Sequence, residues 1–140
     1  MKLGIIILAG VVLVGIGVYF ITKSGEATVQ QSTTAQFRVV QPREAQALLR
    51  DREEIQVLDV RTADEVATGA ITGSKNIDFY ASTFREQLQN LDKQVPYMVI
   101  CRSGNRSGQV VTIMKSLGFS EVFDVQGGTT SWLAAGLPLR

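Results

Sequence analysis

The sequence predicts an α/β domain with a central, mainly parallel sheet and helices on both faces, carried behind an N-terminal transmembrane helix. Three observations predict it. Short β-branched runs alternate with stretches whose apolar residues recur at helical spacing, a pattern that needs crossover connections and so gives parallel strands. The stretch from Leu3 to Ile21 holds no charged side chain. Between these two regions lies a polar segment almost without apolar residues.

In chain order, Leu3 to Ile21 is 19 residues long, which at helical rise spans roughly 28 Å against the roughly 30 Å hydrocarbon core of a bilayer. It has no polar face and stands at the extreme N-terminus, so residues 1–23 are expected to form an uncleaved signal anchor rather than a core helix. A cleaved secretory signal is the competing reading. Its apolar stretch is usually about 7–15 residues and ends at a small-x-small site; the candidates around Gly25-Glu26-Ala27 and Thr33-Thr34-Ala35 are poor. The basic groups, the α-amino group and Lys2 against Lys23, favour a single-pass protein with its N-terminus in the cytoplasm and its domain on the periplasmic or extracellular side. Residues 24–36 are rich in Ser, Thr, Gln and Gly, cannot offset the entropy of ordering, and read as a tether.

The domain proper is expected over residues 37–140. Strands are predicted at Phe37–Val40, Ile55–Val60, Asn76–Ile77, Tyr97–Cys101 and Val122–Val125. Pro42 suits the first turn of a helix running to about Leu49, and Thr62-x-x-Glu65 is a capping box for a short helix. Phe84 to Leu91 carries apolar positions at helical spacing. Val110, Val111, Met114 and Leu117 define a further helix after Cys101, closed by Gly118 where a C-terminal cap belongs. Sheets of this kind place their ligands at the carboxyl ends of strands. No internal repeat or low-complexity segment is visible in the domain.

Composition excludes several classes of function. From Phe37 onward there are 12 Lys and Arg against 12 Asp and Glu, so the domain offers no basic footprint and nucleic acid is not an expected partner. The chain has 1 cysteine and 0 histidines, which excludes an intramolecular disulfide, a Cys/His zinc site and any Cys–His or Ser–His catalytic pair. No metal and no cofactor is expected. Chemistry has to run on a thiol, carboxylates, arginines and backbone amides.

The segment from Pro96 to Ser107 meets that requirement. It puts the thiol of Cys101 at the end of an apolar strand, then a short glycine-containing turn, then a helix. Successive backbone N–H groups in such a turn, backed by the positive end of the helix and by Arg102 and Arg106, form a cradle for negative charge. A thiolate in that field has a lowered pKa and is available near neutral pH without a general base. A lone cysteine at a strand end is by itself a small hydrophobe of the core. The two arginines and the glycine turn that follow reverse that preference, although Arg102 and Arg106 taken alone are compatible with solvated charges and Ser107 with a helix cap.

Cys101-Arg102-Ser103-Gly104-Asn105-Arg106-Ser107 resembles the active-site loop of single-domain rhodaneses. The resemblance extends along the domain in the right order. Leu58-Asp59-Val60-Arg61 with Glu65 is similar to the family's second-strand signature, Gly69 to Ile77 to the next segment, and Val122 to Gly128 with Trp132 and Gly136-Leu137-Pro138 to the C-terminal end. The position after Gly69 is often histidine in the family and is Ala70 here. The resemblance implies a rhodanese-like fold and a thiosulfate sulfurtransferase that carries sulfur as a persulfide on Cys101, passing it from a small anionic donor such as thiosulfate to a thiol or cyanide acceptor, a partner protein included. The amides from Arg102 to Ser107 are expected to cradle the persulfide, with Arg102 and Arg106 holding the donor. Asp59 and Arg61 are expected to support the site as an ion pair that positions nearby loops. Gly127 and Gly128 are expected to serve a tight turn beside the site, and Trp132 the core.

Phosphatases with a comparable loop place their arginine six residues after the cysteine, which encloses room for phosphate. Here that position is Ser107 and the last arginine, Arg106, comes one residue earlier. The tighter loop suits a persulfide sulfur. The reading from another class is a membrane-tethered rhodanese-like module that binds a partner or senses oxidants through Cys101 without turning over thiosulfate.

Overall fold

A computed structural model of the chain describes residues 35–140. The expected transmembrane anchor and nearly all of the expected tether lie outside the described residues. Among the described residues no helix is long and apolar enough to cross a membrane.

The strands are β1 (Gln36–Val40), β2 (Gln56–Asp59), β3 (Lys75–Asn76), β4 (Tyr97–Ile100) and β5 (Glu121–Val125). They form one sheet in the order β1-β5-β4-β2-β3, every pair parallel. Tyr97-Met98-Val99-Ile100 occupies the centre because each of its residues is apolar, which suits a parallel strand covered on both sides. The pleat then sorts side chains by parity. Met98 and Ile100 join Val40, Val57, Phe123 and Trp132 on one face; Val99 and Cys101 join Leu58, Val60, Val110 and Met114 on the other. The helices α1 (Pro42–Asp51), α2 (Ala63–Ala67), α3 (Phe84–Gln89), α4 (Asn105–Ser116) and α5 (Gly128–Ala134) connect and cover the strands. Residues of α1 and α5 complete the first cluster, and residues of α3 and α4 the second.

The predicted strands and helices match this architecture with ends displaced by a few residues. Pro42 starts α1, and α2 carries the full capping box, with the Glu65 N–H donating to the Thr62 hydroxyl and the Thr62 N–H to the Glu65 carboxylate. Helix α5 is the element the sequence reading does not contain. Its Thr129-Thr130-Ser131 run has poor helix propensity, and the preceding glycines signal only a turn.

No side chain of α2 is buried, so polar contacts fix its place. The guanidinium of Arg61 donates to the Asp59 carboxylate at 2.6 and 3.0 Å, and its remaining protons reach the carbonyls of Glu65 at 3.2 Å and Gly69 at 2.8 Å. Both residues are buried. Asn76 adds a second tie, its side-chain amide donating to the carbonyls of Asp59 and Arg61. The pair at the end of β2 thus clamps the loop, α2 and the turn after it. Replacing Asp59 by Ala strands a buried guanidinium, and urea unfolding should show a loss of about 3–5 kcal/mol.

Candidate active site

Strand β4 ends at Ile100 and delivers Cys101, with no exposed surface, to the carboxyl edge of the sheet. The chain then turns over the sulfur. The Gly104 N–H donates to Sγ at 3.1 Å, and the Ser107 Oγ lies 3.5 Å from it. Gly104 stands at φ +91°, a left-handed conformation that a side chain resists, and from there the chain enters α4. Its carbonyl accepts from the Ser107 hydroxyl at 3.2 Å and from the Gly108 N–H at 3.1 Å, which locks the turn to the helix.

Burial pushes the Cys101 thiol up, but the Ser107 hydroxyl and the N–H groups of Ser107, Ser103 and Gly104 outweigh it and leave the pKa below its usual value. The lowering comes from hydrogen-bond donors around the sulfur. Ser103, Gly104 and Ser107 therefore meet the sulfur through backbone or hydroxyl, whereas the Asn105 side chain accepts from Gln109 within α4.

The two arginines differ. Arg106 forms a two-pronged ion pair with Glu65 at 2.7 Å for each prong and stands 5.5 Å from the Tyr80 ring centre. The expectation that Arg106 holds the donor thus meets a guanidinium already engaged by α2, because the capping-box glutamate faces the loop. Arg102 is exposed and makes no ion pair among the described residues. It borders a groove of about 660 Å³ together with Thr68, Thr129, Thr130 and Leu133. Asp59 and Arg61 act on this site at one remove, through the clamp on α2 that presents Glu65.

The back of the loop is held by α5. The Thr129 N–H donates to the Cys101 carbonyl at 2.8 Å and the Thr130 N–H to the Arg102 carbonyl at 3.0 Å. This close approach explains Gly128, at φ +59°: a Cβ there would sit 2.2 Å from the Cys101 carbonyl oxygen. Trp132 is buried beneath α5, its indole N–H donating to the Pro138 carbonyl. Glu65, Thr129 and Thr130 are site-building residues that the sequence reading does not place there. Glu65 is legible as a cap and as part of the second-strand signature, not as a partner of Arg106, and the two threonines carry no signal.

A parallel α/β sheet with a buried thiol under a ring of amides at the carboxyl end of its central strand defines the class. Residues 41–135 match the rhodanese-like domain family, and the chain belongs to it. It is 32% identical over 100 residues to a thiosulfate sulfurtransferase of Pseudomonas putida named GlpE, covering 71% of this chain and 88% of that one. Among solved structures it is similar to a rhodanese-related protein of Thermoplasma volcanium, at 35% identity and a TM-score of 0.64, covering 74% of this chain and 97% of that one. It is also similar to a polysulfide-sulfur transferase homodimer of Wolinella succinogenes, at 25% identity and a TM-score of 0.62, covering 77% and 79%.

Two outcomes test this geometry. Gly128→Ala should destabilise the fold and slow alkylation of Cys101 by iodoacetamide, whereas Gly73→Ala, whose Cβ meets nothing within 4 Å, should leave the alkylation rate unchanged. The Glu65 carboxyl is held down to about 2 from a usual 4.5, chiefly by its hydrogen bonds with Arg106. Its folded value lies below the unfolded one, so the stability it contributes is complete above about 4.5 and is lost as pH falls towards about 2. Thermal unfolding across that range should show a steeper acid-side decline for the unaltered chain than for Glu65→Gln.

Proposed function

We propose that the chain is a sulfurtransferase that moves sulfane sulfur from a small anionic donor such as thiosulfate to a thiol or cyanide acceptor, through a persulfide on Cys101. The observation that carries the reading is the convergence of the Ser103, Gly104 and Ser107 donors on one buried sulfur whose pKa they lower, in a chain with no histidine. The names of the relatives, sulfurtransferases acting in one case on thiosulfate, support it.

The Cys101 thiolate attacks the outer sulfur of the donor. The new Cys101 S–S bond forms as the donor's S–S bond breaks, and its electron pair leaves with sulfite. The persulfide anion stays under the loop amides, which stabilise it as they stabilise the thiolate. Arg102, which makes no ion pair among the described residues, draws in the donor anion and steadies the departing sulfite. The acceptor thiolate or cyanide then takes the outer sulfur and returns Cys101 to its first state. Arg106, fixed by Glu65, adds positive charge beside the loop and keeps its wall in place.

We place this chemistry at a membrane. Leu3 to Ile21 holds no charged residue and supports a single-pass anchor, with the domain on the extracytoplasmic side.

Intact mass of the purified full-length chain, before and after thiosulfate, tests the reading. A reductant-sensitive gain of one sulfur atom is expected, absent in Cys101→Ala. Arg102→Ala should raise KM for thiosulfate about tenfold or more, the loss of a charge-assisted contact of roughly 1.5–3 kcal/mol. No gain of mass on a reduced, alkylatable thiol would sink the reading and leave a binding or oxidant-sensing module.

A further inference from the structure

The groove beside the loop carries a charge that an anionic donor does not use. It runs between α2, which contributes Asp64 and Glu65, and α5, which contributes Thr130 and Leu133, and Arg102 borders it directly after Cys101. Its volume of about 660 Å³ suits an organic molecule rather than a small inorganic anion alone.

Arg61, Asp64, Glu65 and Arg102 are the charged side chains that line it, and the fold itself satisfies two of them. Arg61 gives its protons to Asp59 and to the carbonyls of Glu65 and Gly69. Glu65 pairs with Arg106 and closes the capping box with Thr62, so α2 does not need a second acid for its cap. Asp64 and Arg102 are left. Both are exposed, and neither forms an ion pair among the described residues. The groove thus offers one carboxylate and one guanidinium to whatever enters, with an apolar stretch at Leu139 and at Leu133, a large apolar side chain that is 55% exposed. An anion gains from Arg102 and is repelled by Asp64, whereas a molecule that carries both signs gains from each.

We propose that this groove selects the sulfur acceptor, an amino-acid or peptide thiol that sets its carboxylate on Arg102 and its ammonium on Asp64. The inference rests on the sulfurtransferase reading above and names the acceptor class of the same site. Asp64 is then a specificity-determining residue, which meets the acceptor at its ammonium and not at the reacting sulfur. Arg102 serves both halves of the cycle, the donor anion first and the acceptor carboxylate after sulfite has left. In the second half the acceptor thiolate attacks the outer sulfur of the Cys101 persulfide. A new S–S bond forms on the acceptor as the Cys101 S–S bond breaks, and its electron pair returns to Cys101 as the thiolate. The product is the persulfide of the amino-acid or peptide thiol.

The test is the rate at which thiols strip the sulfur from Cys101 in the full-length chain, loaded with thiosulfate and followed by intact mass. Cysteine carries both charges, cysteamine only the ammonium and 3-mercaptopropionate only the carboxylate. Each thiol is compared with itself between the unaltered chain and Asp64→Asn, so that its own nucleophilicity cancels. At low ionic strength Asp64→Asn should slow cysteine and cysteamine about two- to fivefold, the range of an exposed ion pair, and should not slow 3-mercaptopropionate. The difference should fade in concentrated salt. Asp64→Lys should widen it, with cysteamine slower still and 3-mercaptopropionate faster than in the unaltered chain. An equal effect on all three thiols, or none on any, would overturn the proposal. Should Cys101 take no sulfur from thiosulfate, the same comparison runs on a methylthio cap placed on Cys101 by methyl methanethiolsulfonate, whose removal by thiols needs no sulfane sulfur. A charge preference there would keep the groove as a site for such thiols and remove only the sulfurtransferase reading; its absence there would refute the groove as well.

Discussion

A loop that aims its N–H groups inward at one sulfur must turn carbonyls outward, and buried carbonyls need donors. The structure depends on how that need is met. Thr129 and Thr130, opening α5, supply their amides to the carbonyls of Cys101 and Arg102. Amides can serve in this way only if the helix start comes within touching distance of the loop, which leaves no room for a Cβ at Gly128. The height of α5 is set in turn by Trp132, packed with Phe123 and Ile100 on the sheet face opposite Cys101. Packing on one side of the sheet therefore fixes the shape of a loop that opens on the other.

The second support is electrostatic and runs sideways. Asp59 holds Arg61, Arg61 holds the backbone of α2, and α2 presents Glu65 to Arg106. Fork-to-carboxylate pairing is geometrically demanding, so it aligns α2 with the first turn of α4. It also neutralises the arginine it aligns. Arg106 is then a weaker source of positive potential than a free cation at the same distance, and the thiol's lowered pKa is left chiefly to the donors of Ser107, Ser103 and Gly104. The sequence suggests arginines and amides acting together; the structure divides them.

What was legible in the sequence is what local pattern encodes. The all-apolar run of β4, the capping box at Thr62, Pro42 at a helix start and the Cys-Arg-Ser-Gly-Asn-Arg-Ser loop each express their structure within a few residues. What was not legible depends on contacts made across the fold. Glu65 and Arg106 are 41 residues apart, and nothing in a capping box says that its glutamate has a second partner. Helix α5 forms from a Thr-Thr-Ser run because its amides have carbonyls to meet and its tryptophan has a core to enter, both tertiary facts. Asp124 reads as one polar residue in an apolar strand; only the folded chain shows that it lies against the turn that holds Ser107.

The same closeness that makes the thiol acidic also limits what can approach it. Cys101 has no exposed surface, and the nearest amide of the loop is already spent on its sulfur. An incoming oxyanion therefore meets a loop whose centre is held by the Cys101 sulfur under the Gly104 N–H. Outside the loop it meets Arg102 and the groove that Thr68, Thr129 and Thr130 line together with Asp64 and Glu65. On the proposed chemistry this divides recognition from stabilisation: the oxyanion is held at the rim and the sulfur that moves inward is held by the amides. A donor whose leaving group is anionic and whose outer atom is a single sulfur satisfies both halves.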